Sequence, residues 1–208
     1  MVNLQRLRAD AKELCEIAIK NGASSARPIK AKQVIVDERV LLKCRYPPCN
    51  WYGQCLMCPP FTPSPQEFSG YLQRYRYAVL VQFESPYPDE LATKIKNDNV
   101  KLHDLFKEMG HRLENSIDTA WMELHKIVSI IEREAFNRGY YFATGLLAAS
   151  CRLCEKCNPS LPCKHPYEAR PSMESVGIDV YATTKKAGLE ATFAPRDKIT
   201  LTGLVLLD

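Results

Sequence analysis

One stretch of the sequence reads Cys151-Arg152-Leu153-Cys154-Glu155-Lys156-Cys157 and continues through Asn-Pro-Ser-Leu-Pro to Cys163-Lys164-His165-Pro166. Four cysteines fall within thirteen residues, three of them at a repeated spacing. Core packing does not require sulfur at regular intervals, whereas a Cys-x2-Cys-x2-Cys run wraps a short backbone segment around a cubane iron–sulfur cluster and a fourth ligand arrives from further away. The stretch therefore predicts a [4Fe–4S] site, with Cys163 as the fourth ligand.

A second group of four cysteines lies earlier in the chain, at Cys44, Cys49, Cys55 and Cys58. Its spacings match no standard ligand pattern, although Cys58-Pro59 is similar to the Cys-Pro that follows ferredoxin ligands. The sequence leaves three options open for this group: a second cubane, a three-cysteine cluster with an open iron, and a structural zinc site. The leading interpretation is two [4Fe–4S] clusters, one at each group.

Zinc is the main competing metal for these cysteines. Two Cys-x2-Cys pairs far apart in sequence commonly supply the halves of one zinc site, so Cys55 and Cys58 could join Cys154 and Cys157 in this way. The third cysteine of the later run favours iron–sulfur, because tetrahedral zinc gains little from three consecutive thiols of this spacing.

The composition is that of a globular protein, with 46% apolar and 25% charged residues among 208. Residues 1–208 are therefore predicted to form a single domain. The absence of a long apolar run and of a signal peptide predicts a cytoplasmic protein without a membrane segment. Eight of the nine cysteines lie in two clusters, and in such a protein clustered cysteines more often hold metal than form disulfides.

The formal net charge of +4 counts every thiol as neutral. Four thiolates around one zinc ion or one cubane leave roughly −2 per site, so two loaded sites bring the protein near zero net charge. Nucleic acid is therefore not expected as a partner. The expected partner is a redox protein or a small-molecule substrate. The oligomeric state is left open, a homodimer included.

Apolar periodicity predicts helices at 3–20, 65–75 and 91–138, the last with an interruption at Gly110. Strands are predicted at 77–83, 140–149 and 199–207, a strand or hairpin at 33–43, and a short helix after Asp179. This order indicates an α/β or α+β fold with a single sheet and packed helices. Because the segments 33–43 and 140–149 lead into the cysteine groups, both metal loops are expected at strand ends.

Polar residues beside the second group are candidates for supporting roles. His165 follows Cys163 by two residues and would ligate metal, donate to cluster sulfur, or simply face solvent. Arg170, Ser172 and Glu174 would bind an anionic substrate or cap the following helix. No catalytic motif with a known mechanism is present, so no catalytic residue is predicted.

Several motifs taken together resemble a family of cysteine-rich "predicted metal-binding proteins", a domain of unknown function. They are Cys44-x4-Cys49 with Tyr52-Gly53, Cys58-Pro59-Pro60, the run from Cys151 to Cys163-Lys-His-Pro, Ala169-Arg-Pro-Ser-Met-Glu174 and Gly177-Ile-Asp-Val180. The resemblance implies ligand roles for Cys44, Cys49, Cys58, Cys151, Cys154, Cys157 and Cys163. The family occurs mainly in anaerobic bacteria and archaea, which implies oxygen-sensitive iron–sulfur chemistry.

Three hypotheses of function follow. The first is an iron–sulfur protein that transfers electrons in anaerobic metabolism. The second is an enzyme in which an iron without a cysteine ligand acts as a Lewis acid on a small substrate held by Arg170 and Ser172. The third is a zinc-binding structural or interaction module.

Overall fold

Two long strands form the centre of the structure. The structure is a computed structural model, and it describes residues 4–87, 89, 92–93, 110–191 and 198–208. Strand β2 (Tyr77–Pro86) pairs antiparallel with β4 (Lys198–Leu207) along its full length. Strand β1 (Ser25–Lys30) adds to the other edge of β2, and β3 (Thr144–Leu146) adds to β4. The sheet therefore has the order β1-β2-β4-β3, with every pair antiparallel.

Both faces of this sheet are covered. Val79 and Val81 pack into a core formed with helices α1 (Leu4–Lys20) and α4 (Gly110–Asn137). Ala78 and Leu80 pack on the opposite face, against helix α3 (Pro65–Leu72) and the segment 173–178. Because neighbouring side chains of a strand point to opposite faces, a strand buried on both sides has a continuous apolar sequence, which is why 77–83 has no polar alternation.

Two helix starts follow the sequence signals closely. Helix α3 (Pro65–Leu72) begins with a capping box, in which Ser64 Oγ accepts from the Glu67 N–H and Glu67 Oε2 accepts from the Ser64 N–H. Helix α5 (Val180–Lys186) begins after Asp179, whose carboxylate accepts from the Ala182 N–H at 2.9 Å. These bonds satisfy donors that the first helical turn leaves without partners.

The α+β fold with one sheet is confirmed for the described residues, as are the helices at 3–20 and 65–75, the strands at 77–83 and 199–207, and the short helix after Asp179. The predicted helix 91–138 is observed from Gly110 onward, and most of its earlier part lies outside the described residues. The strand predicted at 140–149 shortens to Thr144–Leu146. None of the described helices is both long and apolar enough to cross a membrane.

The strand or hairpin predicted at 33–43 is wrong. The segment contains 3-10 turns at Ala31–Gln33 and Glu38–Leu41, followed by helix α2 (Leu42–Arg45). Asp37 starts the second turn, since its Oδ1 accepts from the Arg39 N–H at 2.9 Å. The aliphatic residues ahead of it form only an isolated bridge between Val36 and Ile178, because β1 already occupies that edge of the sheet. The first cysteine group therefore begins inside helix α2, at Cys44, and not at the end of a strand.

Candidate metal centre

The segment 171–179 connects the two cysteine groups, and its first half holds the chain that enters the second group. The Leu147 N–H donates to Pro171 O at 2.9 Å, and the Met173 N–H donates to Leu147 O at 2.8 Å. Trp121, buried in the core, donates its indole N–H to Ala148 O at 2.9 Å. These bonds extend the end of β3 and set the position from which the second group begins.

The second half of the same segment holds the chain that enters the first group. The Asp37 N–H donates to Gly177 O and the Asp179 N–H donates to Ile35 O, each at 2.8 Å. The Ile35 N–H donates to Thr183 Oγ1 at 3.0 Å. Because one short segment binds both approaches, two cysteine groups distant in sequence are brought to the same region.

Five cysteines line one pocket: Cys55, Cys151, Cys154, Cys157 and Cys163. The remaining walls come from Trp51, Leu56, Met57, Leu153, His165 and Ala169. Within the described residues, no three Cys, His, Asp or Glu side chains are arranged to hold a single metal ion. The five thiols are instead spread around the wall of the pocket. All four cysteines of the second group thus share a pocket with one cysteine of the first.

Cys55 is the most extensively hydrogen-bonded of these thiols, although only 1% of its surface is exposed. Its Sγ accepts from the thiols of Cys58 and Cys157 and from the backbone N–H groups of Met57 and Cys151. The bond from Cys58 is the largest cause that lowers the pKa of Cys55, to about 6, against an opposing effect of burial. The thiolate is the form that binds metal, so the lowered pKa of Cys55 favours its role as a metal ligand.

Backbone N–H groups also point at other sulfurs of the pocket. Cys151 accepts from Leu153, Cys157 accepts from Leu56, and Cys163 accepts from the His165 N–H at 3.4 Å. Burial nevertheless raises the pKa of Cys151 to about 11, because a thiolate there has lost its water. A bound cation would offset that cost, and hydrogen bonds to sulfur are among the features that set the reduction potential of a cluster.

The other three cysteines of the first group, Cys44, Cys49 and Cys58, do not line this pocket. The Cys49 N–H donates to Cys44 O and the Cys58 N–H donates to Cys55 O, each at 2.9 Å, which folds the loop into consecutive turns. The pKa of Cys58 is raised by its hydrogen bond to Cys55, by burial and by the charges of its cysteine neighbours, Cys49 and Cys44 among them. These three thiols, from here on called the first set, are separate from the five-thiol pocket, with Cys58 buried and Cys49 exposed.

The supporting residues proposed from the sequence occupy different places. His165 lines the five-thiol pocket, with Nδ1 at 3.2 Å from Glu168 Oε2. Arg170 does not line that pocket and binds Glu132 through Nε at 2.7 Å and through a terminal nitrogen at 2.6 Å. Ser172 is buried, and its Oγ accepts from the Ser175 N–H at 3.1 Å.

Glu174 lies beside the first group. Together with Cys44, Lys43 and Thr184 it lines a broader pocket on that side of the molecule. Its Oε2 atom is buried and has no hydrogen-bond partner among the described residues, and the same holds for the hydroxyl of Thr184. Burial raises the pKa of Glu174, and its charge is one of the causes that raise the pKa of Cys44, after burial and Cys49.

Some contributors to the site carry no sequence signal. Three of them are backbone N–H groups near cysteine sulfurs, those of Leu56, Met57 and Leu153. Any residue other than proline supplies such a group. Thr184 sits in a helix that only the tertiary fold places against the pocket. The donor set as a whole consists of soft thiolates around a pocket, which suits iron–sulfur clusters and zinc.

A family model described as "Predicted metal-binding protein (DUF2284)" matches residues 27–207. The match includes both cysteine groups, the segment 171–179 and all four strands except the first two residues of β1. Neither the curated proteins nor the solved structures contain a match to this chain.

Proposed function

Because the chain belongs to the DUF2284 family of predicted metal-binding proteins, we propose that it binds iron–sulfur clusters and transfers electrons to or from a partner protein in anaerobic metabolism. The observation that carries this proposal is the pocket lined by five thiols. One [4Fe–4S] cluster would be held by the second group, Cys151, Cys154, Cys157 and Cys163. Cys55 would lie beside this cluster, in the wall of the same pocket. Cys44, Cys49 and Cys58 would provide the thiols of the second. When bound, such clusters supply one-electron redox chemistry.

Two features support iron–sulfur over zinc. All three cysteines of the run from Cys151 to Cys157 line this pocket, and tetrahedral zinc gains little from three consecutive thiols of this spacing. Backbone N–H donors also reach the sulfurs of Cys151, Cys157 and Cys163, an arrangement that stabilises the negative charge of a thiolate-ligated cluster.

The positions of the cysteines support an electron-transfer role. The thiols of Cys58 and Cys157 both donate to Cys55, so the two sets are in contact through one buried side chain. Cys49 is exposed at one end of this series. A partner protein that docks near Cys49 would thus be linked through the first set to the buried pocket.

Metal analysis of protein expressed and purified without oxygen tests the proposal. We expect roughly eight irons and eight sulfides per chain, with a broad visible absorption that fades on reduction with dithionite. Cys154→Ala should lower the iron content, while Cys15→Ala, which changes a buried cysteine of helix α1 remote from both sets in sequence, should not. Stoichiometric zinc without iron would contradict the proposal and support the zinc module.

A second candidate function is an enzyme that uses iron of the first set as a Lewis acid. It is favoured by the position of Cys44 in the wall of the broader pocket, where a small molecule would reach the metal. Lys43 lines this pocket and Arg170 does not, so Lys43 is the better placed cation for substrate binding. Cyanide, which binds iron at an exchangeable position, should then alter the electron paramagnetic resonance (EPR) spectrum of the reduced protein. An unchanged spectrum would exclude this function.

A further inference from the structure

The first set contains three thiols and lacks an obvious fourth donor. Cys55, the remaining cysteine of the first group, lines the five-thiol pocket with the second group. A cubane and a tetrahedral zinc ion both take four ligands. The fourth ligand of a metal centre at Cys44, Cys49 and Cys58 therefore has to come from a different residue or from a small molecule.

Glu174 has an oxygen atom that the rest of the described protein leaves without a partner. Its Oε2 is buried, and it accepts no hydrogen bond from any described residue. A carboxylate oxygen removed from water costs stability unless a donor or a cation satisfies it, and buried charges in proteins are generally paired or coordinate metal. The residue lines the same pocket as Cys44, a member of the first set.

The Glu174 carboxyl group lies near polar groups of its own segment. The backbone N–H of Glu174 and the Ser172 hydroxyl both act to lower its pKa, against the larger effect of burial. Ligating carboxylates are typically hydrogen-bonded in this way through the atoms that do not bind the metal. Glu174 also opens the 3-10 turn Glu174–Val176, which ends at Gly177, and the Gly177 carbonyl accepts from the Asp37 N–H. The turn is thus fixed against the segment that leads to Cys44.

We propose that Glu174 is the fourth protein ligand of the metal centre formed by Cys44, Cys49 and Cys58. This inference rests on the proposed metal function and specifies its first site. A competing role for Glu174 is an ion pair with Lys43, whose charge acts on it from the exposed rim of the pocket. A small molecule that reaches this metal would displace the carboxylate.

The test compares the wild type with Glu174→Gln and Glu174→Cys after anaerobic reconstitution with iron and sulfide. The glutamine variant keeps the size of the side chain but binds metal weakly, so iron per chain should fall by up to half. The cysteine variant restores a strong ligand, so its iron content should match the wild type while the EPR spectrum of the reduced protein changes. Far-ultraviolet circular dichroism checks that both variants are folded.

Two control variants separate ligation from other effects. Glu190→Gln changes an exposed glutamate of the same pocket that pairs with Lys198 at 3.7 Å, and should leave iron content and spectrum unchanged. Lys43→Met removes the competing partner and should also leave the iron content unchanged. An equal loss of iron in Lys43→Met and Glu174→Gln would overturn the proposal, because Glu174 would then act through the ion pair.

The inference and the proposed function fail in different ways. If the wild type takes up iron but Glu174→Gln retains its full iron content and spectrum, the ligand role is wrong and the iron–sulfur function stands. If the wild type takes up zinc and no iron, the iron–sulfur function is wrong. Zinc content then decides the ligand role, which predicts that Glu174→Gln loses one zinc ion and Glu174→Cys regains it.

Discussion

Cys55 and Cys157 line the same pocket, although the two residues belong to different cysteine groups. The thiols of Cys58, from the same group as Cys55, and of Cys157 both act to lower the pKa of Cys55. One buried sulfur is therefore in contact with both sets of thiols. This contact makes Cys55 the residue whose replacement is most informative about how the sets depend on each other.

We expect Cys55→Ala to lower the iron content and to change the EPR spectrum of the reduced protein. The variant removes a side chain that lines the five-thiol pocket and that accepts hydrogen bonds from Cys58 and Cys157. Cys15→Ala is the matched control, since Cys15 is also a buried cysteine but belongs to helix α1 and packs in the apolar core. An iron content and spectrum equal to the wild type would show that Cys55 has no part in metal binding.

The ion pair between Glu132 and Arg170 should contribute substantially to stability. The side chains are 18% and 17% exposed, their closest atoms are 2.6 Å apart, and Glu132 Oε1 also accepts from the Gly145 N–H. Removing one partner of a buried pair leaves an uncompensated charge, so Arg170→Met should lower the free energy of unfolding by about 3 kcal/mol. The double variant with Glu132→Gln should lose less than the sum of the single losses, as measured by urea denaturation. Additive losses would show that the two charges do not interact.

Gly177→Ala should destabilise the protein more than Gly188→Ala. Both glycines have positive φ, +85° and +73°, so an alanine at either position costs about 1 to 2 kcal/mol of backbone strain. At Gly177 the added Cβ would also lie 2.7 Å from Pro65 Cγ, whereas nothing lies within 4 Å at Gly188. Thermal unfolding of the two variants checks the difference, and equal melting temperatures would show that α3 moves away without cost.

Stability should fall at high pH because of Tyr140. Burial, followed by the hydrogen bond to Asp10 at 2.5 Å and the charge of that residue, raises the pKa of Tyr140 from 10.0 to about 12. The unfolded chain therefore loses this proton first. The stabilisation is complete below about pH 10 and is lost as pH rises toward 12, with a size of about 2 to 3 kcal/mol at most.

Tyr140→Phe isolates this contribution from the other groups that titrate at high pH. The difference in free energy of unfolding between wild type and variant should be constant below pH 10 and should shrink between pH 10 and 12. Urea denaturation at a series of pH values measures it. A difference that stays constant over the whole range would show that the Tyr140 proton is not held more tightly in the folded protein.

Local sequence patterns were sufficient for most of the secondary structure. The apolar stripe of helix α1, the capping box at Ser64, the cap at Asp179 and the continuous apolar run of β2 each depend on bonds or burial patterns within a few residues. The segment 33–43 does not form the strand that its apolar pattern predicts. Its aliphatic residues favour a strand, but the edge of the sheet was taken by β1 and the Asp37 carboxylate favoured a turn.

The residue types and spacing in the sequence identified a thiol-rich chain suited to metal, because a run such as Cys151 to Cys157 has a local chemical meaning. Only the tertiary structure decided that Cys55 lines a pocket with the second group, and that Glu174, with its unpartnered oxygen, lines the same pocket as Cys44. The physical reason is that both features depend on the backbone bonds of the segment 171–179 to the two approaches. Contacts between distant parts of a chain are set by packing across the whole fold, and no local spacing encodes them.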